Sequence, residues 1–316
     1  MTREWANRFG LIGTTGNQRR FDQLAYPDLL SYGCTTAAPE PLALFSEWFT
    51  YYFLLDDQQD LAVVTGRQQE FNALQDQVKQ VLHTRGRGVR DDSVGLVAAI
   101  ADLSRRTERY VSDEWWHRYV IHAEEVFAAQ RQECGYRFTG TFPDLEDFKE
   151  VRRKAGAADM VFDIIEACEQ IEIPGWLRYS STCRSYADDL NDFTTWTNDV
   201  LGIDRDAAQV DPMNYVLVRQ HLDGIPRGEA TERVTAEIVR LVHRLPSRRA
   251  HVLSAAKEQG AGMFATVERA VDAWQAWAIA VPMHYLRPNS RLFQMDEAAP
   301  GHAPEFTADL LGSTSR

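Results

Sequence analysis

The chain has 316 residues, of which 44% are hydrophobic and 25% are charged, and its formal net charge is −12. That composition is ordinary for a globular protein with a substantial core. The acidic balance argues against a nucleic-acid partner, because phosphate binding needs a basic face. No uninterrupted run of about 18 apolar residues occurs, so the sequence predicts no membrane span.

The cysteines and the first residues bear on the location of the protein. Cys34, Cys134, Cys168 and Cys183 are scattered without CxxC spacing, which predicts reduced thiols and no disulfide framework or zinc site. The opening stretch, MTREWANRFG, lacks the long apolar run of a signal peptide. We therefore expect a cytoplasmic protein.

Helical spacing of apolar residues dominates the chain after its first forty residues, which read mainly as loop with short helical pieces. Pro39 and Pro41 introduce a helix that ends in an acidic run. Later helices are predicted over about 112–134, 144–171, 175–203, 229–245 and 248–282. Alternating β-branched runs are missing. The predicted fold is all-α, a single domain over residues 1–316 in which about 296–316 form a mobile tail.

The acidic run Leu54 to Asp60, LLDDQQD, directly follows the apolar segment EWFTYYFLL. On a helix, Asp56 and Asp60 lie one turn apart on the same face, with Asp57 beside them. Three crowded carboxylates repel one another unless a cation lies between them, and oxygen-only ligands favour Mg²⁺. The alternative interpretation is a solvated acidic helix end.

A second polar motif lies in WTNDVLGIDRD, Trp196 to Asp206. On a helix, Asn198, Gly202 and Asp206 follow at i, i+4 and i+8, drifting only about 80° around the axis. An amide oxygen and a carboxylate then face the same way, about 12 Å apart along the helix. Gly202 has no side-chain oxygen, so a water or the substrate would have to fill the middle position. The alternative is a helix end capped by Gly202.

Together the two motifs resemble those of the bacterial class I terpene synthases, in which DDxxD is followed by N-D-x-x-S-x-x-x-E. The WTND run, Arg205 before the last acid and Asn214 eight residues beyond it are similar to that family. Two positions depart from it: Gly202 stands for Ser or Thr, and Asp206 stands for Glu. A glycine at the middle position also resembles some kaurene-type diterpene cyclases.

A competing frame, Asn191, Thr195 and Asp199, restores the hydroxyl but loses Asn214 and Arg205 at their places. We prefer the later frame.

The resemblance implies a helical bundle with a central active-site cavity and a cofactor of three Mg²⁺ ions. The implied metal residues are Asp56, Asp57, Asp60, Asn198, Gly202 and Asp206. Arg152 lies 46 residues before Asn198, where the family has an arginine that senses diphosphate, and Gly156 falls at its effector position. The diphosphate is expected to meet Arg152, Arg205 and Arg291. The family has an Arg-Tyr pair at the last of these, but here Leu292 follows Arg291. Phe53 is the aromatic residue expected to face a carbocation, because its position is three residues before Asp56.

The implied activity is a cyclase that ionises a prenyl diphosphate, either C15 farnesyl or C20 geranylgeranyl or bicyclic diterpenyl diphosphate, and releases pyrophosphate. One alternative is a chain-elongating prenyltransferase, but that class carries a second DDxxD, and none follows residue 190. Another is a degenerate member that acts as a binding or scaffold protein. Many relatives are homodimers, although the sequence identifies no interface.

Overall fold

The computed structural model of the protein describes residues 2–13, 18, 21–22, 24–90, 93–287 and 309–311. Within these ranges the chain forms helices and no strand, which confirms the predicted all-α class. The helices are α1 (Thr2–Arg8), α2 (Tyr26–Ser31), α3 (Pro39–Thr65), α4 (Gln68–His83), α5 (Leu96–Thr107), α6 (Asp113–Thr139), α7 (Leu145–Ala155), α8 (Ala158–Glu169), α9 (Gly175–Arg178), α10 (Ser181–Leu201), α11 (Ile203–Gln209), α12 (Tyr215–Asp223), α13 (Arg227–Lys257) and α14 (Ala261–Tyr285).

Helix α3 lies at the centre of the bundle. It begins at Pro39, whose fixed φ suits a first turn, and ends at Gly66 in the left-handed conformation with φ 70°. Helices α1, α2, α4, α5, α6 and α8 all pack on it. Between residues 44 and 62 the half-buried positions are Tyr52, Phe53, Leu54, Asp56 and Asp60. All but Leu54 fall within an arc of about 100°, so one stripe of an otherwise enclosed helix is partly open to solvent. We call the space in front of this stripe the cleft.

The single helix expected over about 144–171 is wrong, because the structure divides it into α7 and α8. The helical path breaks at Gly156 and Ala157, and Ala157 adopts a left-handed φ of 59°. Gly156 is pressed against α10: a Cβ added there would lie 2.2 Å from Cγ2 of Thr195. Close packing between helices, which periodicity does not report, therefore sets the break.

The boundary expected near residue 246 is also wrong, since α13 continues through Pro246 to Lys257. The turn comes instead at Gly260, with φ 107°. Helix α14 then packs along α10, α8 and α2.

Residues 309–311 lie against α3, although they belong to the stretch expected to be a mobile tail. The backbone N–H of Leu310 donates to Oε1 of Gln58 at 2.8 Å, and Asp309 pairs with Arg67 at 2.6 Å. Leu310 and Leu311 are buried in the main core. Burial of the two leucines and satisfaction of a backbone donor explain why these three residues dock.

Candidate active site

The first acidic motif occupies the last turns of α3, where Asp56 and Asp60 lie on the stripe that faces the cleft. Asp57 points away from that stripe and is only 8% exposed. The end of α6 lies beside this motif: the negative charges of Asp211, Glu133 and Asp60 raise the pKa of the Arg137 guanidinium, although burial opposes them. The carboxylates of α3 and the side chains of α6 therefore share one electrostatic environment.

Glu133 is a buried carboxyl group in this environment that sequence reasoning missed. Burial raises its pKa to about 7, Arg137 and Arg152 oppose the shift, and Asp211 and Asp56 add to it. Its Oε1 has no hydrogen-bond partner among the described residues. Glu133 and Arg137 form an i, i+4 pair on α6, with charged atoms 3.6 Å apart. This pair was missed from the sequence because the predicted helix ended near residue 134, before Arg137.

Arg152 lies at the end of α7 and reaches the second motif. Its Nη2 donates to Oδ1 of Asp199 at 2.7 Å, and its Nε donates to the same oxygen at 3.1 Å. The backbone N–H of Tyr215 donates to the other carboxylate oxygen at 3.2 Å. Burial raises the pKa of Asp199, whereas the Arg152 guanidinium and the N–H of Tyr215 oppose that shift. The arginine is therefore held at the second motif and within electrostatic reach of Glu133.

The second motif keeps a nearly continuous helical path from α10 into α11. The N–H of Gly202 donates to the carbonyl of Asn198 at 2.8 Å, and the N–H of Asp206 donates to that of Gly202 at 3.0 Å. Two side chains hold Asp206: Nε of Arg205 contacts Oδ1 at 2.6 Å, and Nδ2 of Asn214 contacts Oδ2 at 2.8 Å. The helical path puts Asn198 and Asp206 on one side of α10 and α11, and Arg205 is paired with the acid beside it.

The surroundings of Gly202 are polar and tight. A Cβ at this position would lie 3.1 Å from Nη2 of Arg205, 3.2 Å from the carbonyl oxygen of Asn198 and 3.3 Å from Oδ2 of Asp206. Amide, carboxylate and water oxygens are the donors that Mg²⁺ accepts. The donor set is consistent with a divalent cation here, although within the described ranges no three His, Cys, Asp or Glu side chains converge on one point.

The side chains of the competing frame, Asn191, Thr195 and Asp199, join α10 to the end of α7. Nδ2 of Asn191 donates to the carbonyl of Arg153 at 2.9 Å, Thr195 packs on Gly156, and Asp199 binds Arg152. These three side chains contact α7 and the residue that follows it, so they are already used in helix packing. The geometry therefore favours the frame of Asn198, Gly202 and Asp206 as the metal motif.

A series of aromatic contacts runs from Phe53, which is half-buried on this stripe, into the buried core. Phe53 stacks on Tyr26 with ring centroids 3.9 Å apart and meets Phe49 edge-on at 5.1 Å. Phe49 in turn meets Trp277 edge-on at 6.5 Å, and Trp277 meets Phe162 at 6.0 Å. We call these five residues the aromatic wall.

Arg291 lies outside the described residues, so the structure gives no position for this predicted diphosphate contact. In the part of the chain that is described, no helix is both long enough and apolar enough to cross a membrane.

Comparison with known proteins relates the chain to several bacterial synthases. It is 31% identical over 219 residues to a (+)-T-muurolol synthase from Roseiflexus castenholzii, covering 69% of this chain and 66% of that protein. It is 31% identical over 211 residues to a (−)-delta-cadinene synthase from Streptomyces clavuligerus, covering 66% of this chain and 63% of that protein. A (−)-beta-caryophyllene synthase from Saccharothrix espanaensis is 26% identical over 314 residues, which cover 98% of this chain and 87% of that protein.

Solved structures show the same fold. The structure of an α-eudesmol synthase superposes with a TM-score of 0.79 at 15% identity, covering 90% of this chain and 92% of the other. A linalool/nerolidol synthase from Streptomyces clavuligerus gives 0.78 at 22% identity, covering 88% and 93%. The family model "Terpene synthase family 2, C-terminal metal binding" matches residues 47–244, more than half of the sequence, and the chain therefore belongs to the terpene synthase family.

Proposed function

We propose that the protein is a Mg²⁺-dependent class I terpene cyclase that ionises farnesyl diphosphate, cyclises the carbocation and releases pyrophosphate. The observation that carries this proposal is a pair of walls beside the end of α6, the helix that packs on both α3 and α7. One wall holds the carboxylates of Asp56 and Asp60, and the other holds Arg152 on Asp199. Glu133 feels the charges of both Asp56 and Arg152, which supports their closeness.

The residues of the two walls divide the work of ionisation. Asp56 and Asp60 would hold metal from α3, while Asn198 and Asp206, with an oxygen beside Gly202, would hold it from α10 and α11. Bound Mg²⁺ supplies neutralisation of the diphosphate charge, which lowers the cost of its departure. We take the number of ions, three, from the resemblance. Arg152 would exchange Asp199 for a diphosphate oxygen, since a guanidinium suits either partner.

The aromatic wall serves the second half of the reaction. A cation released from diphosphate is attracted to ring faces and must be kept from water until its rings close. Phe53 lies on the same stripe of α3 as Asp56, so the wall begins directly below the acidic motif. The cleft would thus offer a charged end to the leaving group, and Phe53, supported by the buried rings behind it, to the hydrocarbon.

The relatives favour a C15 substrate. The muurolol and caryophyllene synthases named above carry the description "(2E,6E)-farnesyl diphosphate cyclizing". We therefore place farnesyl diphosphate ahead of the C20 substrates.

The direct test is incubation with Mg²⁺ and C10, C15 or C20 diphosphates, followed by gas chromatography with mass detection and measurement of released pyrophosphate. We expect cyclic C15 products from farnesyl diphosphate, and none after chelation of the metal. A product that has gained an isoprenyl unit in the presence of isopentenyl diphosphate would indicate a prenyltransferase instead. The proposed activity would be refuted if no substrate gave a terpene and none released pyrophosphate.

A further inference from the structure

A buried cluster of charges joins α6 to α8 and has no part in the proposed ionisation. Arg118 of α6 is fully buried, and its Nε donates to Oδ1 of Asp163 at 2.8 Å. Its Nη2 donates to Oε2 of Glu166 at 2.8 Å. His122, one turn along α6, contacts Oδ2 of Asp163 at 2.6 Å. We call Arg118, His122, Asp163 and Glu166 the α6–α8 cluster.

Burying four ionisable groups is a poor way to gain stability. Each charge loses its hydration, and apolar residues of similar volume often hold two helices together as well or better. The cluster instead fixes an orientation, because two nitrogens of one planar guanidinium, Nε and Nη2 of Arg118, bind both carboxylates of α8. Asp163 is well suited to this, since its pKa is held at about 2 by His122 and Arg118 against the effect of burial. The cluster thus fixes the rotation and the register of α8 on α6.

The two helices on either side of the break at Gly156 both pack on α6 and α10, but their charged side chains pair with different helices. Helix α7 is held by α10, through Arg152 on Asp199 and through Arg153, which contacts Asp192 at 2.7 Å. Helix α8 is held by α6 through the cluster. The Arg152 guanidinium and the carboxylates of α8 are therefore held by separate ion pairs.

Helix α8 also carries part of the aromatic wall. Phe162, the residue before Asp163, stacks on Trp274 at 4.7 Å and meets Trp277 edge-on at 6.0 Å. On the far side of Trp274, the Arg178 guanidinium lies 4.9 Å from the ring centroid, and it also contacts Asp159 of α8 at 2.7 Å. A change in the register of α8 would therefore shift Phe162 against both tryptophans.

We propose that Asp163 and Glu166 are positioning residues that set product specificity, by holding α8 and its part of the aromatic wall in one register through Arg118. This inference rests on the proposed cyclase activity. Competing cation fates differ by small barriers, so a small displacement of a ring face changes their proportions.

The test uses the full chain and compares three variants, each with one carboxylate replaced by an amide. Asp163→Asn and Glu166→Gln disturb the cluster. Asp189→Asn is the matched control, because Asp189 is a buried carboxylate with two 2.7 Å contacts to Arg244, but it joins α10 to α13. Circular dichroism and thermal unfolding give the folded fraction of each variant, and the assays use equal amounts of folded protein. The product profile, kcat and KM are then measured with farnesyl diphosphate.

We expect at least one cluster variant to raise the share of minor products about threefold, equivalent to about 0.65 kcal/mol in relative barrier. KM should stay within about twofold, because neither substitution removes the contact between Arg152 and Asp199. Loss of folded protein alone lowers the apparent turnover but does not change product proportions, so a merely structural role predicts an unchanged profile. If Asp163→Asn does not fold, Glu166→Gln decides the question.

An unchanged profile in the folded cluster variants would overturn the inference and leave the cyclase proposal standing. An equal change in Asp189→Asn would overturn it as well. A wild-type chain that forms no product refutes the proposed function, and the inference with it.

Discussion

The break between α7 and α8 leads to a quantitative prediction for Gly156→Ala. The added Cβ would lie 2.2 Å from Cγ2 of Thr195 and 3.2 Å from the carbonyl oxygen of Arg152. Thr195 cannot rotate away freely, because its Oγ1 donates to the carbonyl of Asn191 at 2.9 Å. Overpacking of this kind costs about 1–3 kcal/mol. For a chain of this size we expect the melting temperature to fall by about 2–5 °C.

A second substitution should relieve the clash. Thr195→Ser removes Cγ2 and keeps the hydroxyl, so the double variant should regain stability with a coupling energy of about 1–2 kcal/mol. In Gly156→Ala, kcat/KM should fall by about tenfold to a hundredfold, because the end of α7 carries Arg152 and a displacement near 1 Å is costly to catalysis. The double variant should recover much of that loss.

The measurement is a double-mutant cycle of the wild type, Gly156→Ala, Thr195→Ser and the double variant. Each protein is unfolded in urea and assayed for kinetics with farnesyl diphosphate. Gly135→Ala is the control, since Gly135 lies exposed in α6 with nothing within 4 Å of an added Cβ. It should be neutral, or stabilising by up to about 1 kcal/mol. A Gly156→Ala protein as stable as the wild type, or a double variant with no coupling, would show that Thr195 does not set the break. Recovery of stability without recovery of kcat/KM would assign Gly156 a role in the reaction itself.

Three further predictions concern the charged end of the cleft. Replacement of Asp56 or Asn198 by Ala should lower kcat by at least about a hundredfold without loss of the cooperative melting transition, and near-normal turnover in both would refute the metal assignment. Gly202→Ser adds a hydroxyl beside Asp206 and should lower the Mg²⁺ concentration needed for half-maximal pyrophosphate release; an unchanged or higher requirement contradicts the assigned role of that space. For Glu133, the folded-state pKa is raised from 4.5 to about 7, so the neutral carboxyl favours folding at low pH and that contribution is lost as pH rises through about 7. The loss is worth about 3 kcal/mol. Between about pH 5 and 8 the melting temperature of metal-free Glu133→Gln should therefore fall less than that of the metal-free wild type. Equal falls in the two proteins would exclude a raised pKa for Glu133.

The acidic motif shows how much local sequence can determine. Asp56 and Asp60 share a face because they are four residues apart on a helix, and that spacing holds wherever the helix packs. The same local rule brings Asn198 and Asp206 to one side of α10 and α11, and the prolines and apolar stripes indicate an all-α chain. Arg152, found by its distance from Asn198, lies beside the second motif, and its role as a diphosphate sensor stays a prediction.

Tertiary structure decided what depends on contacts between distant segments. The break at Gly156 follows from contact with Thr195 on another helix, and the continuation of α13 through Pro246 shows that a local breaker signal can be overridden. Glu133 and Arg137 join the site only because the end of α6 packs beside α3 and α7. Arg118 and Asp163 are separated by 45 residues, and neither spacing nor composition pairs them. Periodicity reports the face of a helix that is buried, whereas its neighbours, register and buried charges are settled only when the helices pack together.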